Sequence, residues 1–208
     1  MKFSKFFTHL QEAPWYRSFL NPVINEIESN TNLLDIGTGS GKMLEILSTE
    51  KTVSCVGTDT STDMLKEAKG KLKNTDTKLH LIVPGEALPF EQNSFDYVTI
   101  CSVLFHLNKE DIDNILKDSL KLLKDSGKII ILTPTGKGDI LKLTKHYFSL
   151  KNSSVYIWYH ATKRRASLWT NENYLAEYTS KNDLNYKREI VMNGFAQLEI
   201  MKQKIKQF

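Results

Sequence analysis

Cysteine is scarce in this chain of 208 residues: Cys55 and Cys101 alone occur, each inside an apolar run that reads as a strand. Two such residues fit reduced core thiols. They exclude a disulfide framework and the paired spacing of a zinc site, so no metal is expected. No apolar run reaches the roughly 18 residues that a membrane-spanning helix needs, and no leader-like or lipidation motif is present, so the expected compartment is the cytoplasm. Charge of one sign is also lacking. The 28 Lys and Arg against 24 Asp and Glu leave a net charge of +4, which permits an anionic partner without demanding nucleic acid. No internal repeat or low-complexity linker divides the chain, and its length fits one domain with a small lid.

What is present, 40% hydrophobic and 25% charged residues, is ordinary globular composition. The stretch that organises it is Leu33-Leu34-Asp35-Ile36-Gly37-Thr38-Gly39-Ser40-Gly41-Lys42. It reads as a buried strand ending in an acid, a turn through three glycines, and the start of a helix. Alternate glycines allow positive φ and bring a ligand close to the main chain, while the helix start offers free N–H groups. At the head of a βαβ unit this is a nucleotide-cofactor loop. The spacing Gly37-x-Gly39-x-Gly41 is neither the dinucleotide G-x-G-x-x-G nor the P-loop G-x-x-x-x-G-K-[ST]. Asp59 closes a second strand, about 20 residues past the glycines, where an acid holds a ribose diol.

Several further elements are legible. Pro14 and Pro22 punctuate two short helical patterns among the aromatics Phe3, Phe6, Phe7, Trp15, Tyr16 and Phe19. Ser61 reads as the N-cap of a helix reaching Leu72. Lys78–Val83 and Phe95–Cys101 read as strands, Lys109–Lys124 as a helix, and Lys128–Thr133 as a buried fifth strand. A helix over Asp139–Leu150 follows, then an aromatic and basic stretch, then a helix beginning at Thr170 or Asn171 and ending near Lys181. Asn193-Gly194 marks a two-residue turn in a closing hairpin.

Four motifs taken together resemble the class I S-adenosylmethionine-dependent methyltransferases, of the quinone-biosynthesis-like, small-molecule type. These are D-x-G-x-G-x-G over Asp35–Gly41, D-x-S-x-x-M-L over Asp59–Leu65, Leu88-Pro89-Phe90 followed by Asn93-Ser94-Phe95-Asp96-x-Val98, and Val103-Leu104-Phe105-His106-Leu107 after the fourth strand. The resemblance runs from Leu33 to Thr133, about half of the chain. It implies a Rossmann-like α/β fold, with helices on both faces of a mostly parallel seven-stranded sheet of order 3-2-1-4-5-7-6 and an antiparallel C-terminal hairpin. Within one domain over 1–208, residues 1–30 read as a helical lid, 31–133 as the cofactor core, 134–170, by their length and their aromatic and basic residues, as a substrate-side insertion, and 171–208 as the final helix and hairpin.

The implied cofactor is S-adenosyl-L-methionine. Asp35, Gly37, Thr38, Gly39 and Gly41 would hold its methionine end, Asp59 its ribose, and Met64, Gly85 and Glu86 its adenine, with Thr60 also among the cofactor-binding residues. The acid that usually meets the adenine amino group falls here on Pro84, and Glu86 is the nearest substitute. Cys101 would turn its backbone to the cofactor, and Tyr16 and Arg17 would reach its carboxylate from the lid. His106 is the candidate general base. Tyr156, Trp158, Tyr159, Arg164 and Arg165 would bind the substrate, a small-molecule methyl acceptor, in a monomer or homodimer. Rival readings are a non-catalytic protein of the same fold, either S-adenosylmethionine-binding or a scaffold, and a tRNA or RNA methyltransferase. Against the second, no N-P-P-Y motif follows the fourth strand. A nicotinamide oxidoreductase would share Asp59 but not the glycine spacing, the L-P-F and N-S-F-D segments or the hairpin.

Overall fold

The computed structural model describes residues 8–204. Phe3, Phe6 and Phe7 of the expected lid lie outside them, as do the last residues of the basic tail. The sheet is built from seven strands: β1 (Asn32–Ile36), β2 (Ser54–Asp59), β3 (Lys78–Leu81), β4 (Phe95–Cys101), β5 (Leu123–Pro134), β6 (Leu184–Val191) and β7 (Ala196–Gln203). Their order is β3-β2-β1-β4-β5-β7-β6. β1 to β5 pair in parallel, and β7 lies antiparallel between β5 and β6. This is the expected topology, including the reversed last pair.

The helices are α1 (Pro14–Glu26), α2 (Lys42–Glu50), α3 (Thr62–Lys71), α4 (Lys109–Leu122), α5 (Ile140–Tyr147), α6 (Ser154–Glu172) and α7 (Tyr174–Lys181). Residues 8–11 are also helical. The period of two along a strand divides the core. Ile130 and Leu132 of β5 pack with α1, α2, α5 and α6, while Ile129 and Ile131 pack with α4 and α7 on the other face. Both sheet faces are covered, which is why β5 reads as a continuous apolar run rather than an alternating one.

The structure corrects several boundaries. Pro22 does not separate two helices: α1 runs through it. A proline inside a helix costs about 3 kcal/mol, but Trp15, Tyr16, Phe19, Leu20, Val23 and Ile24 form one buried stripe across it at i, i+4 spacing, and that packing prevails. Lys51 donates to the carbonyls of Ile24 and Ile27 at the end of α1.

β5 begins at Leu123 rather than Lys128, because Leu123 pairs with Phe95 ahead of an irregularity in the register. The aromatic stretch 156–160 belongs to a 19-residue helix, α6. Thr170 and Asn171 are its last turn rather than the next helix's cap. The break falls at Asn173, in the left-handed region at φ 57°, a conformation asparagine tolerates better than most residues. The β6–β7 connection has four residues, since Val191 already pairs with Ala196. Met192, Asn193 and Gly194 all have positive φ there.

Candidate active site

The carboxyl ends of β1 and β4 are neighbours at the point where strand order reverses, the usual place for a crevice in an open α/β sheet. Gly37 leaves β1 at φ 77°, and a Cβ there would stand 2.4 Å from Val103 Cγ2 in the turn after β4, so the two turns meet this closely only without a side chain. The loop is tied to the tip of β2. Gly37 N and Thr38 N donate to Thr58 O at 2.8 and 2.9 Å. Asp59 accepts from Gly39 N through Oδ2 at 2.8 Å and from Ser61 N through Oδ1 at 2.9 Å. Gly41 N donates to Thr38 O at 3.0 Å. The N–H groups of Gly37, Thr38, Gly39 and Gly41 are therefore engaged in shaping the loop, and the loop is preformed. Gly41 sits at the N-cap of α2 and supplies no side-chain cap there.

Asp35 is buried and accepts from Thr99 Oγ1 at 2.8 Å. Burial raises its pKa to about 6, against the Thr99 hydroxyl, which acts the other way. Above the loop, Gln11 donates from Nε2 to Tyr16 Oη at 2.9 Å and accepts from Ser40 Oγ. Glu12 accepts from Lys42 at 2.8 Å and from Lys71. Burial works against the Glu12 charge, but the two ammonium groups prevail and lower its pKa. Residues 8–12 thereby clasp the glycine loop to α3. Arg17, expected beside them, points elsewhere and grips Glu50 with two bonds of 2.7 and 2.8 Å.

The cavity under this clasp encloses about 650 Å³. The loop residues Asp35, Gly37, Thr38 and Gly39 line one end. Asp59, Thr60, Met64, Cys101 and Tyr16 also reach its wall. Of the expected substrate residues, Trp158 lines it, packed against Trp15 and Phe19 at 5.1 and 5.4 Å between ring centres. The others do not. Tyr156 donates to Thr144 Oγ1, Tyr159 donates to Gly138 O, and Arg164 is exposed away from the wall. Gly41 faces Leu72 and Ala68 of the α3 side. Gly85 and Glu86 lie on an exposed turn outside the wall, where Ile82 is the contributor from beyond β3.

His106 stands at the mouth, in a 3-10 turn over Leu104–His106. Arg165 Nη1 lies 2.9 Å from its Nδ1. A guanidinium has donors and no acceptor, so Nδ1 must accept and the ring proton belongs on Nε2. Partial burial and the Arg165 charge both lower the pKa of the ring, keeping it neutral. In this arrangement His106 presents an N–H donor, not the free lone pair that a general base needs.

Gln11, Met43, Ser102, Phe105 and Thr162 line the cavity and are not among the residues expected from sequence. Ser102 holds a positive φ of 58° at the end of β4, a strained conformation of the kind that collects at functional sites. Nothing in the residue type announces it.

Two buried hydroxyls on the wall, Thr38 Oγ1 and Ser102 Oγ, make no hydrogen bond of good geometry among the described residues, although Thr38 stands close enough to Asp35 to lower that carboxyl's pKa. On a cavity wall such atoms are open to a ligand or to water, whereas Ser119 Oγ and Thr133 Oγ1, which likewise make no hydrogen bond among the described residues, lie away from it. With the buried Asp35 carboxyl, the Thr38 and Ser102 hydroxyls fit a nucleoside that carries a charged amino acid, as S-adenosylmethionine does.

The comparisons agree with that geometry. Residues 34–131 match the family model described as Methyltransferase domain. The ubiquinone/menaquinone biosynthesis C-methyltransferase of Rickettsia bellii is 33% identical over 126 residues, covering 57% of this chain and 49% of that protein. Its counterpart from Rickettsia typhi is 34% identical over 126 residues, at 56% and 50% coverage. The chain thus spans about half the length of these curated relatives. Among solved structures, a SAM-dependent methyltransferase from Aquifex aeolicus superposes with a TM-score of 0.68 at 15% identity, covering 97% of this chain and 98% of that one. The PH0226 protein of Pyrococcus horikoshii superposes at 0.62 and 18% identity, covering 93% and 94%. Motif, topology and preformed loop converge with these likenesses: residues 34–131 match a methyltransferase domain, and together the findings support a class I S-adenosylmethionine-dependent methyltransferase.

Proposed function

We propose that the protein methylates a small, largely apolar acceptor. The observation that carries this reading is the asymmetry of one cavity. Its loop end holds Asp35, Asp59 and the Thr38 and Ser102 hydroxyls, while Leu20, Phe105, Leu107, Ile115 and Trp158 form apolar wall elsewhere. The curated relatives named as C-methyltransferases of ubiquinone/menaquinone biosynthesis support an aromatic, quinol-like acceptor.

The bound cofactor supplies an electrophilic methyl on a sulfonium that carries its own leaving group. The chain's task is to bind, orient and exclude water. Asp35 takes the amino group, and Thr38 and Ser102 offer their hydroxyls to the same end. Asp59 holds the ribose diol with the lone pairs left over from Gly39 N and Ser61 N. His106, its tautomer fixed by Arg165, donates Nε2–H to an oxygen of the acceptor. That bond would steady the negative charge of an acceptor that arrives already ionised, on an oxygen whose ring carbon is the nucleophile; the ring C–H proton displaced by the methyl would leave to water, and the histidine would abstract neither proton.

Titration calorimetry with S-adenosylmethionine, S-adenosylhomocysteine and NADH tests the cofactor half. The expected result is micromolar binding of the first two, about 8 kcal/mol, and none of NADH. Asp59→Ala should weaken it at least 100-fold. Unchanged affinity removes the ribose assignment, and no binding by the wild-type protein favours the scaffold reading.

A further inference from the structure

Seven of the chain's 28 Lys and Arg, but one of its 24 Asp and Glu, lie between residues 136 and 171. That segment is therefore more positive than the whole chain. The seven are Lys137, Lys142, Lys145, Lys151, Lys163, Arg164 and Arg165, all exposed. None forms an ion pair with an acid among the described residues, whereas eight other Lys and Arg do.

The same segment carries exposed apolar surface. Leu141, Phe148 and Leu150 are 83%, 80% and 95% exposed, more than any other large hydrophobic side chain among the described residues. Their placement is geometric. α5 buries Leu143 and Tyr147 and turns Leu141, Lys145 and Phe148 outward, at i, i+4 and i+7 on one face. The following 3-10 turn, Leu150–Asn152, adds Leu150 and Lys151. The first turns of α6 add Ile157, half exposed. The pieces are tied together: Tyr156 Oη donates to Thr144 Oγ1 at 3.0 Å across α5 and α6, and Trp15 donates to Asn152 and Ser154 at 3.0 and 2.8 Å.

We propose that this face docks the protein on an anionic lipid bilayer. Leu141, Phe148 and Leu150 would enter the headgroup–acyl boundary, and Lys137, Lys145 and Lys151 would meet lipid phosphates. Charge complementarity selects this occupant. A second copy of the chain would bring the same positive face against itself in a two-fold contact. Nucleic acid would match the charge, but its bases stack on aromatic rings, and of the three most exposed apolar side chains two are leucines. The contact is peripheral, since no helix of the described residues is long and apolar enough to cross a membrane. α6 turns Trp158 and Thr162 to the cavity and Ile157 outward, so the docked face adjoins the cavity wall. An apolar acceptor dissolved in the bilayer would then enter without crossing water, a consequence that rests on the acceptor reading above; the docking itself does not.

Flotation of the full chain with vesicles of phosphatidylcholine, with and without about one third phosphatidylglycerol, tests the proposal. The expected result is at least tenfold stronger binding to the anionic vesicles, lost at 0.5 M salt. Leu141→Ser, Phe148→Ser and Leu150→Ser combined should lower it at least tenfold, and Lys137→Glu, Lys145→Glu and Lys151→Glu combined should abolish it. Both triple variants should keep the wild-type melting temperature and S-adenosylhomocysteine affinity, which separates failure of docking from failure of the cofactor site. Equal binding to both vesicle types, no binding, or an apolar triple variant that binds like wild type overturns the proposal. A dimer dissolved by the serine substitutions reassigns the face to self-association. A tRNA gel shift kept by the serine variant but abolished by the Lys137→Glu, Lys145→Glu and Lys151→Glu substitutions, without vesicle binding, overturns the proposal and reassigns the face to nucleic acid.

Discussion

Asp35 holds a carboxylate where the fold alone gives little reason to have one. Its pKa is raised from 3.8 to about 6 by burial, so between those values the folded protein binds more protons than the unfolded chain. Stability from this group is present below about pH 4 and is lost as pH rises through 6. Asp35→Asn should therefore stabilise the ligand-free protein at pH 7.5, by up to about 3 kcal/mol for a shift of this size. It should have far less effect at pH 4. Urea unfolding at the two pH values reads the difference, and a pH-independent effect would mean that folded and unfolded chains bind the Asp35 proton equally, so that burial does not raise its pKa. The same substitution should weaken S-adenosylmethionine binding, since the destabilising charge is the one offered to the amino group. Residue type announced this position, as it did Gly37 and Asp59. It did not announce Ser102 or Gln11, whose roles come from backbone conformation and from a contact across the chain. Nor did it show that Arg165 would fix the proton of His106, because the two residues meet only when α6 lies beside the turn after β4.

Between elements, the clasp over the glycine loop is polar. Glu12 joins the segment before α1 to α2 through Lys42 and to α3 through Lys71. Glu12→Ala should raise amide exchange over residues 8–12 severalfold and speed dissociation of S-adenosylhomocysteine, with little change in the melting temperature. If exchange and dissociation are both unaltered, the segment is held by the apolar packing of Leu10 instead. Elements with strong local signals were legible: β4 over Phe95–Cys101, the Ser61 cap that accepts from Met64 N, and the closing hairpin. Missed boundaries share one cause, tertiary packing overriding a local breaker. A buried stripe carries α1 past Pro22. Pairing with Phe95 draws Leu123 into β5. The buried side chains Trp158, Ala166 and Trp169 continue α6 to Asn173. The adenine side was the least legible, because Gly85 and Glu86 were placed by counting along a motif whose acid is replaced by Pro84.

For the whole molecule, the preformed site links ligand to global stability. S-adenosylhomocysteine at 100 times its dissociation constant should add about 2.7 kcal/mol, a rise of about 5–10 °C in melting temperature for a domain of this size. A thermal scan with no concentration-dependent shift would mean that the ligand does not distinguish folded from unfolded chain. The order of the strands also has a consequence for synthesis. β7 covers the outer edge of β5, yet residues 135–195 separate the two. On a ribosome adding about 5–20 residues per second, that edge waits on the order of 3–12 s for its partner. Throughout that wait the nascent chain displays Ile129-Ile130-Ile131-Leu132, the most apolar strand of the sheet, as an open template for another chain. The interval between making β5 and making β7 is thus the aggregation-sensitive moment in the life of this protein.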